Sequence, residues 1–304
     1  MAIGDQVTAP GHIQLGELLL GRGTPYRWRS LPGWEDLPPS DSGSVNRADA
    51  HGAILGRLLA QSRVVTIDGL MIRARRGEIG RVVQQLGNAT ALSDDEQPFV
   101  VQIDERGPLL VWARVTARSI PIDRGYAVGT ITGAAVQLTA SDPRRYDLLE
   151  RTARASLPAA EPGLDWNDET GLDAGLDFND GGLDFGPPGS TGTLTARNDG
   201  NAPAHPVVEF RGPVSMPSLT SLATGDVLEY DLDLAAGDLL VVHTGEGTVT
   251  LNGTASRLTT ATARSVPEQS WALWPGTADL AFRAAPGSSD PAASVAVRWR
   301  SAYW

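Results

Sequence analysis

The residues in this chain best suited to chemistry are carboxylates, and they crowd into "GLDWNDETGLDAGLDFNDGGLDFG", residues 163–186. Asp177, Asn179 and Asp180, ahead of Gly181-Gly182, offer the oxygen donors that a calcium ion takes. The order of a helix-loop calcium site is not kept, however, and no glutamate closes the loop at the required offset. The nine-residue period of calcium-binding β-rolls is missing too. No metal is therefore expected. His12, His51, His205 and His243 are far apart and lack ligand spacing, so each is expected in a loop or at the surface. With no cysteine there is no thiolate nucleophile, disulfide or zinc–sulfur site. No Gly-x-Ser-x-Gly elbow, phosphate-cradling glycine loop or carboxylate–histidine arrangement appears. Acidic pairs such as Asp94–Asp95 and Asp104–Glu105 sit beside turn residues, where a solvated surface is the better reading than a general acid and base. The expectation is no catalytic residue, no cofactor and no enzyme.

The repeat segment reads better as a joint. Gly-Leu-Asp occurs four times, each copy giving a turn, an apolar anchor and a solvated acid. Three copies run directly into Trp166, Phe178 or Phe185, and the fourth into Ala174. Such a stretch holds too little apolar material to fold alone. It is expected to be a strap between two halves, laying Leu164, Trp166, Leu176, Phe178, Leu183 and Phe185 into grooves while its aspartates stay wet. The aromatics would equally suit a core or a sugar-stacking surface.

At 304 residues the chain exceeds the usual single core, so two domains are expected. No apolar run approaches the roughly 18 residues that span a bilayer, and residues 2–16 lack the regions of a signal peptide, so no membrane insertion is expected. All 25 basic residues are Arg. Residues 1–155 hold 18 Arg against 17 acids, whereas residues 156–304 hold 7 against 19. An acidic half is ill suited to gripping a phosphate backbone.

Periodicity gives the elements that any site would need. Residues 1–50 are broken by glycine and proline, although residues 25–34 alternate like an edge strand. Residues 63–76 read as a strand pair, or as one strand bent at Gly69. Ile79, Val82, Val83 and Leu86 recur at helical spacing, with Gly87-Asn88 as the stop signal. Residues 98–122 look like a hairpin turning near residues 105–108, and residues 126–147 like a strand ending at Asp142-Pro143. Beyond Thr193 short strands alternate with regular turns. Residues 227–234 place Leu228, Tyr230, Leu232 and Leu234 on one face and Glu229, Asp231 and Asp233 on the other. Asn252-Gly253 is a hairpin turn. Residues 294–300 bury Val295, Val297 and Trp299 and expose Arg298 and Arg300. The expected fold is mainly β: a β-rich first domain with one short helix (1–155), the acidic linker (156–190), and an antiparallel β-sandwich or jelly roll (191–304).

The order and spacing of "GTLTARNDGNAPAHPVVEFRGP", "TGDVLEYDLDLAAGDLLVVHTGEGTVTLNG", "WALWPGTADLAFR" and "ASVAVRWRSAYW" resemble the C-terminal domain of siphophage distal tail proteins, also called Dit or minor tail proteins. The shared features are Asn198, Gly200 and Pro206 before a strand, turns at Gly225, Gly237, Gly253 and Gly276, and a final strand ending in an aromatic. The first half is similar in its strand–helix–hairpin order and its exit "ASDPRRYD". The lysine-free composition fits relatives from phages of actinobacteria. The resemblance implies a ring-forming belt domain followed by a galectin-like sandwich, in a virion protein at the distal end of the tail. It further implies a homohexameric ring joining the tail tube protein to the tail-associated hub protein, near the tape-measure protein, with DNA passing through the lumen. Arg73, Arg75 and Arg76 would then either bridge to acids on the next subunit or form a solvated strand end. The alternative is a carbohydrate-binding module for adhesion to the host surface.

Overall fold

The computed structural model describes residues 2–160 and 189–304. The repeat segment, with Leu164, Trp166, Leu176, Phe178, Leu183 and Phe185, lies outside the described residues. The chain divides into two units, one made of Met1–Leu149 with Ala302–Trp304 and the other of Glu150–Ser301.

The first unit is built on one nine-stranded sheet. Its main path runs Leu18–Leu20, His12–Leu15, Gln97–Gln102, Leu109–Ser119, Thr130–Ala140, Arg63–Arg73 and Tyr26–Arg27. Leu109–Ser119 joins two layers. Its first half pairs with Gln97–Gln102 and its second half with Thr130–Ala140, with a register shift between Val115 and Ala117. A bulge of this kind bends a strand and lets the sheet curl back on itself. The two ends of the path meet, because Gly21 N donates to Tyr26 O at 2.8 Å, so the sheet is nearly a closed barrel. Closure removes open edges, which is how β-proteins avoid unwanted pairing.

The fold inside this barrel follows the alternation of the sequence. Arg63–Arg73 is a single strand, buried at Val65, Ile67, Leu70 and Ile72. Gly69 sits in it at φ 63°, where an added Cβ would fall 2.8 Å from Arg29 Cβ, and the pairing register shifts opposite it. The helix Ile79–Ala89 turns Ile79, Val82 and Leu86 inward. It runs through Gly87-Asn88 and stops at Thr90, whose hydroxyl donates to Leu86 O. The predicted stop came too early because Arg118 Nη1 donates to Gly87 O and Thr90 O and holds the last turn. Residues 25–34 give only the short strand Tyr26–Arg27 and a bridge at Ser30, since the ladder breaks opposite Gly69, between the pairs Arg27↔Met71 and Ser30↔Asp68. Ahead of Thr130–Ala140 stands a short helix, Arg124–Val128, which periodicity did not show.

The second unit is a β-sandwich. One layer runs Arg151–Ser156, Ser294–Trp299, Val207–Arg211, Leu239–His243, Thr248–Leu251 and Ala255–Ser256; the other runs Thr193–Asn198, Gly276–Arg283, Ser218–Ser221 and Val227–Glu229. Alternate residues face the core: Val295, Val297 and Trp299 on one strand, Leu194, Ala196 and Asn198 on another. Phe210 lies across the interlayer space, with Phe282 at 5.9 Å and Tyr230 at 6.2 Å between ring centroids. Because Phe210 is fully buried, Phe210→Ala is expected to cost about 3–5 kcal/mol, from lost transfer energy plus the cavity left behind. Urea unfolding followed by tryptophan fluorescence would read this. A change within half a kcal/mol would mean that the layers do not depend on this ring.

Three polar residues depart from their expected faces. Glu229, predicted outward, is buried: its strand ends there, and its carboxylate takes Thr262 Oγ1 at 2.8 Å and Arg264 Nη1 at 2.9 Å. Arg298 and Arg300, predicted exposed, are both partly buried, Arg298 against Glu209 at 2.7 Å. An arginine from a turn balances Glu229, and a glutamate on the neighbouring strand balances Arg298.

Candidate assembly interface

Between Asp36 and Arg63 the chain leaves the barrel and adds no residue to its hydrophobic core cluster. It forms a hairpin arm from two small ladders, Ser40–Asp41 with Leu59–Ala60 and Val45–Asn46 with Ala53–Ile54. Val45, Ile54, Leu55, Leu58 and Leu59 are each more than half exposed. A lone two-stranded ribbon is marginal in water, and a cluster of aliphatic side chains on one marks a surface awaiting a partner. Sequence reading missed this arm. Its only signal was the aliphatic content of residues 53–60 in a stretch otherwise punctuated by Gly43, Gly52 and Gly56.

The arm's root is fixed by a buried arginine. Arg63, 1% exposed, donates from Nη1 to Gly33 O at 2.7 Å, Trp34 O at 3.0 Å and Asp36 O at 2.7 Å, and from Nε to Pro143 O at 2.6 Å. The residue that closes the arm thus clamps the residues that open it. Gly33 is required here: at φ 87° an added Cβ would fall 1.9 Å from Val64 O. Burial first, then the nearby Arg145 charge, pushes the Arg63 guanidinium down to about 10, against the opposing pull of Glu35 and Asp36.

Arg73, Arg75 and Arg76 come together at one end of the barrel and are all exposed. Arg73 ends its strand opposite Thr130, and Ala74 N donates to Gly129 O at 3.0 Å. The arginine turn therefore adjoins the helix Arg124–Val128, which adds an exposed Arg124 and the exposed apolar Ile122 and Val128 beside it. Glu78 and Asp123 are the acids on these two loops. Among the described residues none forms an ion pair with Arg73, Arg75 or Arg76. The strand edges of residues 60–140, expected to be open for pairing between copies, are largely occupied: Arg63–Arg73 has Thr130–Ala140 on one side and residues 25–32 on the other. Curling into a barrel used them up.

The remaining candidates are simple. His12, expected in a loop or at the surface, instead sits in a strand at 8% exposure, its Nε2 3.0 Å from Arg22 O. No group of three or more metal-type ligands occurs among the described residues. The sandwich has an open cleft of about 500 Å³ edged by Ser215, Asp233, Ser288, Ser289 and Asp290, with no aromatic in its lining. The exposed Trp274 lies outside it. Carbohydrate sites rely on an aromatic face beside converging polar groups, and the cleft lacks the first.

Residues 199–303 match the family model described as "Siphovirus-type tail component, C-terminal domain". No curated protein matches the chain. Among solved structures, the Dit protein (gp 19.1) of phage SPP1, described as a paradigm of the hub adsorption apparatus in phages infecting Gram-positive bacteria, aligns at TM-score 0.63 and 10% identity, over 96% of this chain and 99% of that one. A chain of the structure of the phage P2 baseplate in its activated conformation with Ca aligns at TM-score 0.48 and 10% identity, over 92% of this chain and 93% of that one. At such identity the likeness is one of fold.

Proposed function

We propose that this chain, a siphophage distal tail component by the domain at residues 199–303 and by its fold, closes with copies of itself into a ring of six at the tail's distal end. In this reading the ring joins the tail tube protein to the tail-associated hub protein, beside the tape-measure protein, and DNA crosses its lumen. The role is structural rather than catalytic. The observation that carries the reading is the arm, with its exposed aliphatic side chains and no share in its own core. A ring needs a surface on each copy that fits a different surface on the next, and a projecting arm is one half of such a joint. Light scattering on the purified protein tests this: about six copies are expected, and a monomer at high concentration would defeat the proposal.

In the same reading Arg73, Arg75 and Arg76 meet acids on the neighbouring copy, and the Gly-Leu-Asp segment serves as a strap, a role that rests on its sequence alone. Reversing the three arginines to glutamate is expected to leave the melting temperature nearly unchanged, because exposed charges contribute little. Assembly should weaken roughly tenfold or more at low salt, and added salt, which weakens the parent's assembly, should instead strengthen the variant's by screening the new repulsion. If the triple variant assembles like the parent at every salt concentration, the arginines face solvent.

A further inference from the structure

Residues 33–36, through which the chain enters the arm, are gripped by two buried guanidiniums. Arg63 takes the main-chain oxygens of three of them. Arg145, 6% exposed, takes the side chains: its guanidinium carbon is 5.7 Å from the Trp34 ring centre, and its Nη1 is 3.0 Å from Glu35 Oε2. That last contact is an ion pair without hydrogen-bond geometry. On its other side Arg145 Nη2 donates to the main-chain oxygen of Trp304. Arg145 belongs to the short strand Arg145–Asp147, which pairs with Ala302–Tyr303 in the register Arg145↔Tyr303 and Tyr146↔Ala302. One side chain therefore joins the last strand of the first unit to the root of the arm.

The join is poised rather than comfortable. Two guanidiniums sit close enough to repel, and Glu35, the carboxylate paired with Arg145, is half exposed and shared with Arg106 at 3.1 Å. A buried charge keeps its place only while its partners hold. If the Ala302–Tyr303 strand is unseated, Arg145 loses both the main-chain oxygen and the pairing that locks its backbone, and its grip on Glu35 and Trp34 loosens with them.

We propose that Ala302–Trp304 is a latch that sets the pose of the arm, with Arg145 as the positioning residue that transmits its seating to residues 33–36. The latch itself stands on this geometry; only its consequence for assembly rests on the ring reading. Hydrogen–deuterium exchange on the dilute full-length protein tests it, using the parent, Arg145→Gln, Arg145→Lys and a variant lacking Ala302–Trp304. Amides of residues 33–36 and 61–64 should exchange roughly tenfold faster in Arg145→Gln and in the shortened chain, as expected for losing a charge-assisted hydrogen bond. Those of Thr130–Ala140 should not change, and Arg145→Lys should restore part of the protection. Unchanged root amides, or equal acceleration throughout the first unit, would overturn the latch. If Arg145→Gln does not fold, the shortened chain decides alone, and its own failure to fold would make the strand a structural requirement and overturn the latch. Loosened root amides in a protein that never forms rings would keep the latch and sink only the ring.

Discussion

Replacing residues 40–60 with an Asn-Gly turn is expected to abolish assembly while leaving both units folded. The stems of the arm already stand at hairpin spacing, since Gln61 N donates to Pro39 O at 2.7 Å, and Asn-Gly is the pair that closes such a spacing in two residues. Nothing removed belongs to the barrel core, and Arg63 keeps its carbonyl partners at Gly33, Trp34, Asp36 and Pro143. What is lost is the aliphatic surface. Burying a leucine contributes about 1.5–3 kcal/mol, so Leu55, Leu58 and Leu59 together are worth on the order of 5 kcal/mol per joint. At about 1.4 kcal/mol per tenfold, each joint weakens by more than a thousandfold. Each copy in a ring makes two joints, so the loss should be complete. Light scattering and a thermal melt read the two halves of the expectation. Rings that persist without the arm would show that the joint lies elsewhere.

Arg63→Met should lower the stability of the first unit by about 3 kcal/mol, a fall of roughly 6–12 °C for a unit of this size. Methionine fills most of the space but strands four carbonyls that the guanidinium satisfies. The loss is less than the sum of four charged hydrogen bonds for two reasons. Some of the carbonyls regain water, and the repulsion with Arg145 that pushes Arg63 down disappears. Arg63→Lys should recover only part of this, because one ammonium cannot serve both the three carbonyls grouped around Nη1 and the Pro143 carbonyl held by Nε. Calorimetry of the full chain reads both variants. A melting temperature within 2 °C of the parent in Arg63→Met would show that the clamp is dispensable.

The rest of the molecule divides between what runs along the chain and what does not. Where one face of a strand or helix meets a core, alternation names the buried residues: Val295, Val297 and Trp299, or Ile79, Val82 and Leu86. The mainly β fold and the sandwich followed from that pattern, as did the turn at Asn252-Gly253. Residues whose place depends on a distant partner were misread. Glu229 goes inward because Thr262 and Arg264 wait for it, and Arg298 is covered because Glu209 lies across the ladder. Neither partner is near in sequence, so no local rule finds them. The arm was missed for the opposite reason: it has no buried face, and therefore no periodicity to read.

By itself, then, the order of residues determined the β class, the turns, the acidic second half and the absence of cysteine and lysine chemistry, because each is a property of neighbours along the chain. Only the tertiary structure decided that the strand edges close into a barrel, that residues 37–62 stand apart from it, and that Arg63 and Arg145 meet at their root. Those outcomes depend on contacts between segments up to some 160 residues apart, such as Arg145 with Trp304. Long-range contacts are set by how whole layers pack, and a periodic pattern carries the face a residue presents but not the partner it meets.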